Sequence, residues 1–198
     1  MIVSDLDGML VTGPRFSEEF PKKFGVPRVD VDEFFSGEFQ QCKIGELDLR
    51  NVLEKYAQKW GIGVAEILEF WFGLSTINKE VVEILKKLKA QDVSIILATN
   101  QEKYRLAYLL ELLQEDEHWI DVVIASCEIG IKKPDPEFYE RIESLFPIVK
   151  KNDMLVFDDK KETIEALIRM GYVAEVFEDV TQFKKSLKKF GLEFNDEE

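Results

Sequence analysis

From residue 78 onward the sequence alternates between two apolar patterns, and this alternation limits the fold more than any other feature. Short runs rich in β-branched residues predict strands at 93–98, 122–125, 154–157 and 173–177. The segments between them show helical spacing and predict helices beginning after Asn78 and near 102–114, 136–146, 162–170 and 180–190. Such alternation is typical of a parallel sheet covered by helices on both faces, which predicts a three-layer α/β/α core.

The segment before residue 78 has a different character. Met1–Ser4 is a short apolar run that predicts one more strand of the same sheet. Residues 15 to about 75 contain no convincing strand, and they predict helices near 17–24, 31–42, 48–60 and 64–72. We therefore expect a core formed by residues 1–13 and 76–198, with residues 14–75 inserted as a small helical cap domain.

The charge of the chain excludes several classes of partner. With 198 residues, a net charge of −13 and a pI near 4.7, it lacks the basic face that nucleic acid or an anionic membrane requires. Its uncharged apolar stretches are too short to span a bilayer, and a strand starting at residue 2 leaves no room for a signal peptide. We expect a cytoplasmic protein that is a monomer or a homodimer.

The sequence offers few residues for a mechanism that pairs a nucleophile with a histidine. Cys42 and Cys127 are the two cysteines, and we expect both to be reduced thiols. His118, the single histidine, lies in a polar stretch and is predicted to lie at the surface. Mechanisms built on a Ser-His or Cys-His pair therefore lose most of their support.

Two carboxylates, Asp5 and Asp7, directly follow the first strand. Strand side chains alternate with period two, so this spacing predicts that both point the same way. Like charges held that close repel, and a cation or a shared proton is expected between them. Gly8 then permits a sharp turn. A strand, paired acids and a turn indicate a magnesium-dependent phosphoryl-transfer site with an aspartate nucleophile.

Polar side chains also follow the later strands. Ligands of such sheets bind beyond the carboxyl ends of the strands, where the candidates are Thr99, Asn100, Ser126, Lys133, Asp158 and Asp159. Carboxylates suit Mg²⁺, while lysine, hydroxyl and amide groups can neutralise and hold phosphoryl oxygens. Each feature alone is more often a solvated turn or a helix cap. Their occurrence in order, each after its own strand, favours a site.

Four motifs of the chain resemble those of the haloacid dehalogenase-like hydrolase superfamily, over essentially the whole length. They are Asp5-Leu6-Asp7-Gly8, Ile95-Ile96-Leu97-Ala98-Thr99-Asn100, Lys133-Pro134-Asp135-Pro136 and Val156-Phe157-Asp158-Asp159. The predicted helical insertion after the first motif resembles the subgroup that carries its cap at that position. The resemblance implies a Rossmann-like core that performs the chemistry and a cap that selects the substrate.

The resemblance also implies a role for each candidate residue. Asp5 would be the nucleophile, which becomes an aspartyl phosphate, and would also bind Mg²⁺. Asp7 would be the general acid and base, with its backbone carbonyl on the metal. Thr99 and Lys133 would hold the transferring phosphoryl group, and Asn100 would assist in binding substrate.

Metal binding in the fourth motif would involve both of its acids. Asp159 would be the more direct ligand, with Asp158 bound directly or through water. Asp7 bears on the reaction class, because the dehalogenating branch of the family lacks an acid there. Met9 and Thr163 depart from the residues usual at their positions; they bear on loop geometry and rate, since neither supplies the nucleophile or a metal ligand.

The cap offers candidates for substrate contact. The stretch 39–48 resembles a loop that faces the site in relatives acting on small sugar phosphates, which makes Lys43, Gly45 and Glu46 candidate substrate-binding residues. A solvated turn between two helices is the alternative. The aromatic residues Trp60, Phe70, Trp71 and Phe72 could line a pocket, although aromatics at helical spacing more often form a core.

Three functions remain open at this point. The first is a magnesium-dependent phosphatase acting on a small phosphorylated metabolite, such as a sugar phosphate, through an aspartyl phosphate. The second is a phosphosugar mutase similar to β-phosphoglucomutase; by resemblance such mutases carry a cap histidine, and none occurs between Asp7 and Asn100. The third is a non-catalytic interaction protein, which would have no need to keep adjacent acids.

Overall fold

The structure is a computed structural model that describes residues 1–113 and 118–194. Its strands, in chain order, are β1 (Ile2–Ser4), β2 (Val11–Thr12), β3 (Thr76–Ile77), β4 (Ile95–Thr99), β5 (Val122–Ala125), β6 (Leu155–Asp158) and β7 (Val173–Val176). Five of these described strands form a parallel sheet in the order β5–β4–β1–β6–β7. The first strand therefore lies at the centre, where Val3 is opposite Ile96 on one side and Val156 on the other.

Helices surround the sheet and form the segment between β2 and β3. In chain order they are α1 (Phe16–Phe24), α2 (Arg28–Ser36), α3 (Phe39–Cys42), α4 (Leu49–Trp60), α5 (Val64–Gly73), α6 (Lys79–Lys89), α7 (Lys103–Leu113), α8 (Ser126–Ile129), α9 (Pro136–Leu145), α10 (Lys161–Arg169) and α11 (Val180–Lys189), with a 3₁₀ turn at Lys151–Asp153. Among the described residues, no helix combines the length and apolarity needed to cross a membrane.

Alternate strand residues point to opposite faces of the sheet, and both faces are covered. Ile2 belongs to an apolar cluster with Leu85 of α6 and Phe183 of α11. Its neighbour Val3 belongs to a second cluster, which includes Phe138 of α9. Burial on both faces explains why these strands are continuous apolar runs. The predicted three-layer α/β/α, Rossmann-like core is confirmed.

The segment from residue 14 to residue 75, called the cap below, packs around its own apolar cluster. That cluster includes Phe20 of α1, Phe34 of α2 and Leu53 of α4, each fully buried. The short antiparallel pair β2–β3 brings together the two ends of the cap segment. A separate cluster is what an independent domain requires, and the division into core and cap domains stays a prediction.

Several local features differ from the sequence prediction. The helix expected at 31–42 is two helices, α2 and α3, separated at Gly37. The strand expected at 93–98 begins later, at Ile95, and includes Thr99. The pairing of β2 with β3 was not predicted, because two-residue strands carry too little periodicity to detect. Residue 114 of the helix predicted at 102–114 and residues 195–198 of the C-terminal end lie outside the described residues.

The cysteines and the histidine lie away from any nucleophilic pairing in the described part of the chain. Cys42 is buried and Cys127 half-buried, and both are free thiols. Burial raises the pKa of each thiol to about 11, with nearby acids adding to the effect, so both stay protonated at neutral pH. His118 is exposed, as predicted.

Candidate active site

The strand order places the candidate site at the centre of the sheet. After β1 the chain adds β4 and β5 on one side of it and then crosses back to add β6 and β7 on the other side. The strand order therefore reverses at β1, which is where ligands of such sheets bind. Asp5 follows β1 directly, and its backbone N–H donates to Phe157 O of β6 at 2.9 Å. Thr99 and Asp158 are the last residues of the two neighbouring strands. Three predicted site residues therefore meet at one edge.

A buried group of three charges lies at this edge. Lys133 Nζ is 2.8 Å from Asp5 Oδ1 and 2.7 Å from Asp158 Oδ2, and the lysine and Asp5 side chains are each only 3% exposed. Backbone donors complete the arrangement, since Leu6 N–H donates to Asp5 Oδ1 at 2.7 Å and Lys160 N–H donates to Asp158 Oδ1 at 2.9 Å. One ammonium group thus faces two carboxyl groups away from water.

Burial and charge act in opposite directions on these groups. The pKa of Asp5 is raised to about 6, because burial raises it more than the Lys133 charge lowers it, and the Asp158 charge adds to the rise. Burial alone would lower the pKa of Lys133, but the charges and hydrogen bonds of Asp5 and Asp158 outweigh it and the pKa is raised. The lysine therefore stays charged at neutral pH and supplies a fixed positive charge beside Asp5.

The second acid of the first motif has its own cation. The strand ends at Ser4, so Asp7 lies in the following turn, where it bridges to Val11. Arg105 donates to both oxygens of Asp7, from Nη1 to Oδ2 at 2.6 Å and from Nη2 to Oδ1 at 2.7 Å. Gln101 Nε2 donates a further hydrogen bond to Oδ2. Among the described residues Asp5 and Asp7 therefore have separate side-chain cations, Lys133 and Arg105.

Gln101 and Arg105 are site residues that the sequence analysis missed. Gln101 lies in the short connection between β4 and α7, and Arg105 lies in the first turn of α7. A helix that begins at the carboxyl edge of a central strand points its first turn toward the site. Their position shortly after the carboxyl end of β4, next to the Thr99-Asn100 motif, was the signal that could have identified them.

Three carboxylates could hold a metal ion. Oxygens of Asp5, Asp158 and Asp159 lie within 4.8 Å of one another. Gly8, with φ of +81°, lies so close to the Asp159 carboxylate that a Cβ there would overlap it. Burial raises the pKa of Asp159 above its ordinary value, because it disfavours the ionised carboxylate. A bound divalent cation would favour the ionised carboxylate and lower this pKa again. An all-oxygen set with Asp5 and Asp158 buried and Asp159 exposed fits Mg²⁺, which keeps several of its waters.

Thr99 and Asn100 have different surroundings at the end of β4. The Thr99 side chain is buried, beside Ala125 of the neighbouring strand. Asn100 exchanges two hydrogen bonds with the backbone of Lys133: its Oδ1 accepts from the N–H at 2.9 Å, and its Nδ2 donates to the carbonyl at 3.0 Å. Asn100 therefore fixes the loop that carries Lys133, which explains why the amide and the lysine occur together.

A cavity of about 730 Å³ lies between the cap and the core. The core lines it with polar side chains, which include Asp7, Asn100, Gln101, Arg105, Asp159 and Lys160. The cap contributes Lys43 and four aromatic side chains, which are Phe16, Phe35, Phe39 and Trp71. Gly45 and Glu46 are not among the described residues that line this cavity, and Trp60, Phe70 and Phe72 pack against the cap cluster instead.

The loop between α3 and α4 contacts the core directly. Ser126 Oγ donates to the carbonyl of Lys43 at 2.6 Å. Gly45, with φ of +74°, approaches Cys127 O so closely that a Cβ would overlap it. Burial lowers the pKa of the Lys43 ammonium, and the charges of Lys132 and Lys160 lower it further. The predicted role of Gly45 in substrate contact stays a prediction, while its position explains why glycine is needed there.

Comparison with known proteins assigns the chain to a family. The sequence matches the profile of the haloacid dehalogenase-like hydrolases over residues 1–171. The chain belongs to this family. Its assignment to a cap subgroup stays a prediction.

The hydrolase is similar to three characterised relatives. It is 22% identical over 129 residues (64% of the chain) to bifunctional epoxide hydrolase 2 of Rattus norvegicus and 29% identical over 111 residues (56%) to flavin mononucleotide hydrolase 1 of Arabidopsis thaliana. It is 27% identical over 136 residues to the sesquiterpene phosphatase astK of Aspergillus oryzae, covering 69% of this chain and 68% of that protein. The match spans only 23% of the rat protein and 44% of the Arabidopsis protein.

The fold of the hydrolase is also similar to solved structures. A haloacid dehalogenase family enzyme of Bacteroides thetaiotaomicron, solved in complex with magnesium and inorganic phosphate, superposes with a TM-score of 0.78. The two proteins are 17% identical, and the superposition covers 92% of this chain and 97% of the other. At this identity the likeness concerns the fold.

The predicted site residues of this hydrolase thus divide into two groups. Asp5, Asp158, Asp159, Lys133 and the buried Thr99 gather at the central strand ends, with Asp7 and Asn100 facing the cavity beside them. Lys43 reaches the same cavity from the cap, whereas Glu46 is exposed. The roles assigned to these residues stay predictions.

Proposed function

We propose that this hydrolase is a magnesium-dependent phosphomonoesterase that acts on a small phosphorylated metabolite through an aspartyl phosphate on Asp5. The observation that carries the proposal is the buried Asp5 carboxylate, which lies 2.8 Å from the Lys133 ammonium and next to the acids Asp158 and Asp159. A nucleophile of this kind needs positive charge beside it, because it attacks an anionic phosphoryl group.

The first step transfers the phosphoryl group to Asp5. A carboxylate oxygen of Asp5 forms a bond to phosphorus, the bond from phosphorus to the ester oxygen breaks, and Asp7 gives a proton to the leaving oxygen. Asp7 Oδ1 accepts a hydrogen bond only from Arg105 among the described residues, and it therefore keeps a lone pair for that proton. Lys133 and Thr99 hold the phosphoryl oxygens.

The second step returns the enzyme to its starting state. Asp7, now a carboxylate, accepts a proton from water as the water oxygen bonds to phosphorus. The bond between phosphorus and Asp5 breaks, and inorganic phosphate leaves. The charge of Lys133 stabilises Asp5 as a leaving carboxylate, because it favours the ionised form.

Asp5, Asp158 and Asp159 would hold the magnesium ion. When bound, it would neutralise charge on the phosphoryl group and keep the carboxylates ionised. The proposal is supported by the relative named as a phosphatase and by the relative named as a flavin mononucleotide hydrolase. It is also supported by the structural neighbour solved with magnesium and inorganic phosphate.

Other functions find less support in the site. Asp7 favours phosphate esters over halides, since a halide leaves without a proton. The mutase alternative lacks a cap histidine, because residues 14–75 contain none. A non-catalytic role does not account for two carboxyl groups buried around one lysine, an arrangement that costs free energy.

Hydrolysis of p-nitrophenyl phosphate tests the proposal. We expect turnover with Mg²⁺, loss of turnover with excess chelator, and a decrease of about a thousandfold or more in Asp5→Asn. Asp179→Asn is the matched control, because that residue caps α11, a role asparagine also fills. A near-normal rate for Asp5→Asn would disprove the aspartyl phosphate mechanism, and full activity in chelator would disprove the metal site.

A selective cap could reject this generic substrate. The wild-type chain is therefore also titrated with fluoroberyllate in the presence of Mg²⁺, with Asp5→Asn as the comparison. Binding that depends on Asp5 supports the proposed nucleophile, and failure to bind together with absence of turnover contradicts it.

A further inference from the structure

We propose that the natural phosphate ester has a large apolar alcohol part, which packs against the aromatic side chains of the cap. This inference rests on the proposed phosphatase function and adds the class of substrate to it. It also differs from the expectation of a small sugar phosphate, which rested on the resemblance of the stretch 39–48 to a loop of relatives acting on such substrates.

Four aromatic side chains line the cavity and are called the aromatic wall below: Phe16, Phe35, Phe39 and Trp71. Phe35 is half-buried, and the other three are buried members of the cap cluster that reach the cavity with a small part of their surface. The Trp71 ring lies 5.2 Å from Phe16, 5.4 Å from Phe35 and 5.3 Å from Phe39, measured between centroids. Phe35 and Phe39 are 5.1 Å apart. The four rings come from α1, α2, α3 and α5, so the packing of most of the cap creates this wall.

The cavity has two chemically different sides. Six of the ten cap residues that line it are apolar, and four of those six are the rings of the aromatic wall. The core side carries Asp7, Arg105 and Asp159, which belong to the proposed chemistry. A phosphate monoester with an apolar body matches this division, because its charged end and its apolar end can each face a matching side.

A small sugar phosphate matches the cavity poorly. Its hydroxyl groups would face the rings and lose hydrogen bonds to water, which is unfavourable unless the protein replaces them. The volume of about 730 Å³ is that of a pocket for a drug-sized ligand, for which the usual range is about 300–1,000 Å³. A phosphoryl group and a few hydroxyls would leave much of the aromatic wall uncovered.

Three esters of primary alcohols test the inference, chosen so that the leaving groups have similar reactivity. They are 2-(1-naphthyl)ethyl phosphate with a planar body, citronellyl phosphate with a branched chain, and glucose 6-phosphate with a polar body. We expect kcat/KM of the wild-type chain with Mg²⁺ to be at least tenfold higher for one or both apolar esters than for glucose 6-phosphate. The better of the two identifies a planar or a chain-like natural substrate.

Phe35→Ala and Phe24→Ala form a matched pair of variants. Both phenylalanines are half-buried and pack on the same cap cluster, but only Phe35 is among the residues lining the cavity. We expect Phe35→Ala to lower kcat/KM for the preferred apolar ester about tenfold, with little change for glucose 6-phosphate, because remote binding energy contributes to the rate. Phe24→Ala should change neither value.

Binding to Asp5→Asn separates this inference from the proposed function. Calorimetric titration of that variant with each ester, in Mg²⁺, measures the preference without turnover. Tighter binding of an apolar ester that none of the proteins hydrolyses would uphold the inference and contradict the phosphatase function. Turnover of glucose 6-phosphate as fast as the apolar esters, or equal losses in Phe35→Ala and Phe24→Ala, would overturn the inference and leave the function standing.

Discussion

Lys133 is the residue on which the charge balance of the site depends. It is the cation within ion-pair distance of both Asp5 and Asp158, and all three side chains are almost inaccessible to water. Buried charges are tolerated only when they are paired, so the lysine has a structural role as well as the proposed catalytic one.

Replacement of Lys133 tests whether its charge compensates the buried carboxyl groups of Asp5 and Asp158. We expect Lys133→Met to lower the free energy of unfolding at pH 7 by about 3–5 kcal/mol, because two carboxyl groups would stay buried without a counter-charge. The loss should shrink as the pH falls to 5. Carboxyl groups whose pKa is raised in the folded state favour folding at low pH, and they lose that contribution as the pH rises.

Urea unfolding at both pH values, in chelator, measures this effect. Lys161→Met is the control, because Lys161 is exposed and its oxygen partner on Glu165 is 3.7 Å away. That variant should change the stability by less than about 1 kcal/mol. Wild-type stability of Lys133→Met at pH 7 would contradict the assignment of Lys133 as the counter-charge.

At the scale of elements, the α3–α4 loop determines how closely the cap approaches the core. Its carbonyl at Lys43 accepts the hydrogen bond from Ser126, and Gly45 lies against the backbone of α8 at Cys127. Because Lys43 also lines the cavity, this contact and the position of the lysine at the cavity are set together.

Two glycine substitutions distinguish the steric overlap between a Cβ at residue 45 and Cys127 O from the backbone strain of a positive φ. Gly45 and Gly61 both have positive φ, 74° and 69°, so alanine costs each about 1–2 kcal/mol. A Cβ at Gly61 meets nothing within 4 Å, whereas a Cβ at Gly45 overlaps Cys127 O. We expect Gly45→Ala to lose at least about 1 kcal/mol more than Gly61→Ala in urea unfolding. Equal losses would show that the loop can move away from α8 freely.

At the scale of the whole molecule, Asp48 joins the two parts of the chain. Its Oδ1 accepts from Arg50 N–H at 2.9 Å and so caps α4 of the cap. Its Oδ2 accepts from Lys103 Nζ at 2.6 Å and from Tyr104 Oη at 2.8 Å, both on α7 of the core. The pKa of Asp48 is lowered to about 2, chiefly by the hydrogen bond from Lys103; burial opposes this shift, and the hydrogen bonds from Tyr104 and from Arg50 N–H add to it.

Substitutions at Asp48 distinguish its two roles. Asp48→Asn keeps an N-cap and removes the charge, so we expect it to lose less stability than Asp48→Ala, for which about 1–2 kcal/mol is expected. Because folding lowers the pKa of Asp48, its carboxylate stabilises the folded state at pH values above the ordinary pKa of 3.8. That contribution is lost as the pH falls. The difference between wild type and Asp48→Asn should therefore decline from pH 5 to pH 3 in urea unfolding. A constant difference would mean that the Asp48 charge is irrelevant to folding.

The sequence by itself determined the core and the place of the candidate site. Strands and helices of the core have local periodicities, and a parallel sheet necessarily brings the residues after its central strands to one edge. Asp5, Thr99, Lys133 and Asp158 were therefore predictable as neighbours. Even the strand ends were within two residues of their predicted positions, because β-branched runs stop where polar residues begin.

Only the tertiary structure decided which side chains became partners across long separations. Arg105 and Asp7 are 98 residues apart, and periodicity carries no information on such a pair. Trp71 belongs to the buried cap cluster and also lines the cavity, whereas its neighbours Phe70 and Phe72 pack against that cluster without lining the cavity, although all three are equally aromatic. Apolar spacing shows that a helix has a buried face. Which part of that face meets a core and which part meets a cavity depends on how the helices dock, and that is a property of the folded chain alone.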